Sequence, residues 1–112
     1  MIAVTIGNDE KVPVTLSPKD GQGNPAPIFG IPQWWKDSGP AGMDIAADGM
    51  SATLISQNVI DPDPANNVSI FKVRANATAT PGERFVEETI TLTVVQALAE
   101  TLGAVAGIPV KK

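Results

Sequence analysis

The feature that most constrains the fold is a series of short segments in which every second residue is apolar. Residues 2–6 and 12–16 each carry three aliphatic residues at alternate positions, and in residues 88–94 three threonines alternate with mainly aliphatic residues. A period of two places successive side chains on opposite faces of a strand, so these segments are predicted to be strands that bury one face. Pro13 lacks a backbone donor, so the second strand is expected at an open edge or a bulge.

Four further strands are predicted from the rest of the chain, which brings the total to seven. They are residues 28–35, 44–47, 50–56 and 68–78. Asp48-Gly49 lies between the two middle segments and predicts a hairpin with a two-residue turn, in which both positions take positive φ. Pro81-Gly82 is expected to turn the chain toward the last strand.

Seven short strands with a turn roughly every 8–15 residues indicate an all-β protein, an antiparallel β-sandwich. A five-stranded barrel is the competing fold. A sandwich core commonly contains one large Trp on the third strand, where Trp34 and Trp35 lie. We assign Trp34 to the core, so that Trp35 points outward. The residues predicted to be largely buried are Trp34, Val14, Leu16, Leu54, Phe71, Val73, Ile90 and Leu92.

Reactive side chains are nearly absent from the sequence, which contains no Cys, no His and no Tyr. Their absence excludes disulfide frameworks, thiolate metal sites and cysteine nucleophiles. It also removes the usual general base near neutral pH and the commonest zinc ligand. We therefore expect a protein that is not an enzyme, with no cofactor and no metal.

The charge balance restricts the partners. Eight basic and twelve acidic residues give a net charge of −4, which argues against a nucleic-acid partner because phosphates need a basic surface. No apolar stretch approaches the roughly 20 residues of a membrane span. The first residues lack the basic start and apolar stretch of a secretory signal, so we expect synthesis in the cytoplasm without a signal peptide.

The loop of residues 57–67 is the one segment with several potential oxygen ligands for calcium. Asp61, Asp63, Asn66 and Asn67 could supply them. Their spacing matches no calcium-binding loop, and two prolines stiffen the segment. We therefore predict a solvated loop and no metal site.

Several stretches of the sequence are similar to motifs of one family. Residues 12–16 (VPVTL), 20–27 (DGQGNPAP) and 30–34 (GIPQW) resemble the start of bacterial and phage immunoglobulin-like (Ig-like) domains, where a D-x-x-G-N-P-A-P loop precedes a strand ending in Trp. Residues 46–54 (AADGMSATL) and 73–77 (VRANA) resemble their A-D-G-x-S-A-T hairpin and V-x-A-x-A strand. The resemblance covers residues 10–95. It implies an Ig-like β-sandwich, a small structural or adhesive module often encoded among phage virion genes, without catalytic residues.

The sequence divides into an Ig-like sandwich over residues 1–95 and an Ala-rich segment over residues 96–112. Leu98, Leu102 and Val105 in that segment follow helical spacing, but an edge strand broken at Gly103 fits equally well. The segment is nearly uncharged, unlike a solvated tail. We expect it to pack on its own sandwich or, preferably, on a neighbouring subunit.

Five residues are candidates for an interaction surface: Trp35, Lys36, Leu98, Leu102 and Val105. An outward Trp marks either a protein hot spot or a sugar platform, unless a loop or the C-terminal segment covers it. The first hypothesis is therefore a non-enzymatic virion protein, a capsid decoration or tail or fibre module that binds other virion proteins or itself. The alternative is a carbohydrate-binding or adhesive Ig-like module of a bacterial surface protein, with a host-surface glycan as ligand.

Overall fold

The computed structural model describes residues 1–80, 83–99 and 101–112, so the predicted turn at Pro81-Gly82 lies outside the described residues. The described residues form seven strands and one short 3₁₀ helix. The strands are β1 (Ile2–Gly7), β2 (Lys11–Thr15), β3 (Phe29–Ser38), β4 (Gly42–Ile45), β5 (Ser51–Ile55), β6 (Val68–Asn76) and β7 (Phe85–Val95), and the 3₁₀ helix is Pro64–Asn67. Each predicted strand is confirmed, with shifts at its ends.

The described strands assemble into two sheets, of order β1-β7-β6-β3 and β2-β5-β4. This all-β arrangement is consistent with a β-sandwich, and the two sheets do not close into the alternative barrel. One pairing departs from the predicted antiparallel pattern, because β1 runs parallel to β7 from Ile2↔Ile90 to Gly7↔Val95. β1 and β7 are the first and last of the described strands, so no hairpin joins them. A hairpin would require the antiparallel direction, and without one the two strands can pair in parallel.

The predicted two-residue turn at Asp48-Gly49 is wrong. β4 ends at Ile45 and β5 begins at Ser51, so residues 46–50 form a longer connection. Gly49 takes a positive φ of 70°, whereas no non-glycine residue among those described does so. The Gly49 N–H donates to the Ala46 carbonyl at 2.9 Å and closes this wider turn. A two-residue Asp-Gly turn would need a positive φ at both positions, whereas in the wider turn Asp48 keeps a negative φ.

The core between the two sheets confirms most of the predicted buried residues. Its buried members are Ile6, Trp34, Ala41, Ala52, Leu54, Phe71, Val73, Ile90, Leu92 and Val94. Val14 and Leu16, which we predicted to be largely buried, are only half-buried. Both belong to β2 or the residue after it, and β2 is an edge strand. Because no described strand lies beyond β2, water reaches the outer side of these two side chains.

Residues 96–99 and 101–112 adopt neither the helix nor the edge strand considered for this segment. The Ala97 N–H donates to the Asn8 side-chain oxygen at 2.8 Å, which fixes the start of the segment beside the end of β1. The protein measures 82 × 26 × 26 Å, whereas the eleven residues of β7 span only about 37 Å. The C-terminal segment therefore extends away from the sheets.

Candidate interaction surfaces

The outer face of the four-stranded sheet carries a cluster of aromatic and charged residues around Arg74. The Arg74 guanidinium lies 5.7 Å from the centre of the Trp35 ring and 4.9 Å from that of Phe85. It also donates to a Glu87 carboxylate oxygen at 2.9 and 3.2 Å. β3, β6 and β7 are adjacent in the sheet, which brings these four side chains together. We call Trp35, Arg74, Phe85 and Glu87 the aromatic cluster.

Trp35 is half-buried. Trp34 and Trp35 point to opposite faces of β3, as we predicted, and Trp34 is the buried one. The group that lies over the Trp35 ring is Arg74, rather than a loop or the C-terminal segment. Phe85 and the neighbouring Ile31 remain substantially exposed at the margin of the aromatic cluster. A cationic group and exposed apolar side chains are common features of protein contact surfaces.

Lys36, the second candidate on β3, contacts its own chain. Its ammonium group donates to the Ala41 carbonyl at 3.0 Å, which ties the end of β3 to the connection that leads into β4. The structure thus places Trp35 and Lys36 on β3, and Leu98, Leu102 and Val105 in the segment that follows β7. Trp35 is paired with the outward-facing Lys72 and Lys36 with the buried Phe71, so these two candidates lie on opposite faces of β3. The five predicted residues therefore do not form one surface.

A groove opens between the two sheets, with a volume of about 690 Å³. Its apolar lining comes from the start of β1, the end of β2, the end of β6 and the start of β7. The lining includes Ile2, Val14, Leu16, Val73, Val86 and Ile90. We call this feature the edge groove, because β1 and β2 are edge strands of the two sheets.

Side-chain burial falls steadily toward the edge groove along the strands that line it. On β1 the inward-facing Ile6 is 8% exposed, whereas Ile2 is 43% exposed. On β7 the inward-facing Ile90 is fully buried, whereas Val86 is 46% exposed. Side chains that point toward the opposite sheet normally lie in the core. The edge groove is therefore an end of the core that the described residues leave open to solvent.

The residues that follow Glu100 form an exposed apolar segment. Leu102, Val105, Ile108 and Val110 each expose about nine-tenths of their surface. We call residues 101–112 the arm. Monomeric soluble proteins rarely expose contiguous apolar surface, and such surface usually marks a contact site. The exposed residues Leu102 and Val105 were predicted to be interaction residues, whereas Ile108 and Val110 were missed.

The acidic loop is organised by its own hydrogen bonds. Asp63 caps the 3₁₀ helix by accepting from the Ala65 N–H at 3.1 Å, and Asp61 accepts from the Asp63 N–H at 2.8 Å. Asn67 is buried, accepts from the Asp61 N–H at 2.8 Å and donates to the Asp61 carbonyl at 2.9 Å. Within the described ranges, no group of three or more acidic side chains is arranged to hold a metal ion.

Replacing Asn67 by Ala is expected to lower the free energy of unfolding by about 1–3 kcal/mol, because it leaves partly buried backbone groups of the loop without partners. Asn66 is the matched control, since it is exposed and its side chain makes one hydrogen bond, to the Asp61 carboxylate at 3.2 Å. Asn66→Ala should change stability by less than about 0.5 kcal/mol. Urea denaturation of the two variants measures the difference, and equal effects would contradict a structural role specific to Asn67.

No helix in the part of the chain that the structure describes is long and apolar enough to cross a membrane. No protein-family model matches the sequence. The comparison with curated proteins also returns no match. The geometry of the surfaces therefore carries the functional argument.

Proposed function

We propose that the chain is a non-enzymatic Ig-like module that acts through protein–protein contacts as a structural component of a phage virion, in a capsid decoration or in a tail or fibre. The exposed arm is the observation that carries this proposal. Four large aliphatic side chains in water are unfavourable by about 1.5–3 kcal/mol each relative to a buried state. A partner surface that covers them recovers that free energy.

The strand order supports the Ig-like part of the proposal. Ig-like sandwiches of the constant type have the third, sixth and seventh strands in one sheet and the first, second, fifth and fourth in the other. Six of the seven strands are grouped in the same way here, and β1 differs because it lies alongside β7 rather than β2. The buried Trp34 on β3 also fits, since a large Trp on the third strand is typical of such cores.

The virion part of the proposal rests on the motif resemblance and on the type of surface the protein presents. The described residues offer apolar and aromatic contact area, and contacts of this kind build protein assemblies. The alternative glycan-binding function would use the Trp35 ring as a stacking platform. Arg74 lies over that ring and is held there by Glu87. The aromatic cluster is therefore better suited to a protein partner.

The virion role is tested on phage particles purified from a lysate of the cells that carry the gene. We expect the full chain in those particles at a fixed ratio to the other virion proteins. Deletion of residues 101–112 is expected to reduce its incorporation at least about tenfold, equivalent to about 1.4 kcal/mol or more. The deletion removes only exposed side chains, so the sandwich should remain folded.

Arg74→Ala is the matched comparison, because it alters the aromatic cluster and leaves the arm intact. We expect this variant to be incorporated within about threefold of the wild-type level, since it removes a surface ion pair and two stacking contacts. A full chain that stays in the soluble lysate and is absent from particles contradicts the virion proposal. Normal incorporation of the deletion variant, together with loss of Arg74→Ala, contradicts the role of the arm.

A further inference from the structure

The arm has the residue pattern of a strand with one apolar face. Every even-numbered position from 102 to 110 is apolar, and the odd-numbered positions between them carry two glycines, a proline and one valine. The even-numbered residues are Leu102, Ala104, Ala106, Ile108 and Val110. In an extended conformation they share a face. The arm therefore has large side chains at both ends of an inward face and small ones in the middle.

Beside the edge groove lies β2, which pairs with β5 along one edge and with no described strand along the other. The Leu16 N–H donates to the Met50 carbonyl, toward the side of β5, and backbone groups alternate in direction along a strand. The even-numbered residues of β2 therefore face β5, and the odd-numbered ones, including Pro13, face the outer edge. This is the open-edge position expected for a residue without a donor. No described strand covers that edge, so its carbonyl groups can accept from an added strand.

The arm and the edge groove match in length. Nine residues in an extended strand span about 30 Å, enough to follow β2 and the loop that lines the groove after it. Five charged residues lie along the groove, namely Lys19, Asp20, Arg84, Glu87 and Glu88. Two of the three acidic groups are already paired, because Glu87 accepts from Arg74 at 2.9 Å and Glu88 contacts the N-terminal ammonium at 2.8 Å. The match between arm and groove therefore rests on length and on apolar surface.

The arm and the edge groove lie at opposite ends of the β1–β7 pair. The chain leaves the sheet beside the pair Gly7↔Val95, whereas the groove is lined at the other end by Ile2 and Ile90. The arm extends away from its own sheets rather than back along them. A contact between the arm of one copy and the groove of another joins different surfaces, and such head-to-tail contacts build rings or filaments.

We propose that the arm of one copy adds as a strand along β2 of a second copy and places its even-numbered side chains in the edge groove. The inference deepens the proposed function, because it identifies the partner of the arm as another copy of this chain. The added strand completes the open end of the core and covers Ile2, Val14, Leu16 and Val86. Repetition of this contact gives a linear or closed assembly of identical subunits.

Sedimentation velocity of the purified full chain over a concentration series tests the proposal, with two pairs of matched variants. Ile108→Asp puts a charge on the inward face of the arm, and Val105→Asp puts the same charge on the opposite face. Val86→Asp puts a charge in the edge groove, and Ile31→Asp puts one on β3, at the opposite edge of the same sheet. Val86 and Ile31 are both substantially exposed, so these variants should fold, as thermal melting will verify.

We expect the wild-type chain to assemble as its concentration rises. Ile108→Asp and Val86→Asp should raise the midpoint concentration of assembly at least about tenfold, and the two controls should change it less than about threefold. An equimolar mixture of Ile108→Asp and Val86→Asp should form a one-to-one dimer and nothing larger. The first variant keeps an intact groove and the second keeps an intact arm, so one contact forms between them.

Three results would overturn the inference: a wild-type chain that is monomeric at every concentration, equal effects of Ile108→Asp and Val105→Asp, or a mixture that does not pair. A monomer whose arm is protected from protease would show that the arm docks on its own groove. These results are independent of the virion proposal. A chain that is monomeric alone but present in particles overturns only the arm–groove contact, and one that assembles but is absent from particles overturns only the virion role.

Discussion

Replacing Trp34 by Ala is expected to lower the free energy of unfolding by roughly 3–5 kcal/mol, a large part of the stability of a domain this size. Trp34 is the largest side chain of the core cluster and is buried between the two sheets. Its indole Nε1–H donates to the Gly49 carbonyl at 2.7 Å, which ties β3 to the β4–β5 connection. The substitution leaves a cavity and removes the partner of that carbonyl. Urea denaturation monitored by circular dichroism measures the loss.

Trp35→Ala is the matched control, because it removes the same side chain from the adjacent position on the opposite face. Trp35 is half-buried, and its contact with Arg74 contributes about 0.5–1 kcal/mol at an exposed site. We expect Trp35→Ala to cost less than about half as much as Trp34→Ala. Trp34→Phe should recover most of the packing and leave the Gly49 carbonyl without its partner, at a cost of about 1–3 kcal/mol. Equal losses for the two alanine variants would contradict the assignment of Trp34 to the core.

The strands and most of the core could be predicted because both depend on local patterns. An alternation of apolar and polar residues, as in residues 88–94, determines which side chains one face of a strand presents, whichever strand is its neighbour. The assignment of Trp34 rather than Trp35 to the core depends on the same parity along β3. Neither prediction therefore requires knowledge of which strands pair with each other.

The pairing itself could not be predicted, because it depends on contacts between residues far apart in the sequence. The parallel alignment of β1 with β7 joins segments more than 80 residues apart, from Ile2↔Ile90 to Gly7↔Val95. The half-burial of Val14 and Leu16 follows from the edge position of β2, which alternation does not reveal. The edge groove was missed for the same reason.

The aromatic cluster and the arm differ in how far the sequence could predict them. The aromatic cluster needs the register that places Arg74 beside Glu87 and near Trp35, and no local signal provides that register. The apolar arm is visible in the sequence as an uncharged stretch. The spacing of Leu98, Leu102 and Val105 is also compatible with a helix, so apolar spacing alone does not reveal the alternation of residues 102–110. Gly103 and Gly107 favour the extended alternative, because glycine destabilises a helix by about 1 kcal/mol relative to alanine.

Gly39→Ala is the second substitution for which we expect a large effect, a loss of roughly 2–5 kcal/mol in the free energy of unfolding from backbone conformation and overpacking together. Gly39 lies just after β3 and takes a φ of 99°, a conformation that costs a residue with a Cβ about 1–2 kcal/mol. A Cβ here would also lie 2.5 Å from the Val68 carbonyl oxygen and still closer to Ser69. The neighbouring Ala41 N–H donates to the buried Ser69 hydroxyl at 2.9 Å, so overpacking at this point strains the junction of β3, β4 and β6.

Gly23→Ala separates the two causes of this loss, because Gly23 has a similar positive φ of 84° but no atom within 4 Å of the position of a Cβ. It should lose only the conformational part, about 1–2 kcal/mol. The difference between the two variants then measures the close approach of the chain after β3 to β6. Chemical denaturation of both proteins provides the two values. A loss for Gly39→Ala no greater than that for Gly23→Ala would show that the junction relaxes, and that the close packing of Gly39 against Ser69 contributes nothing to stability.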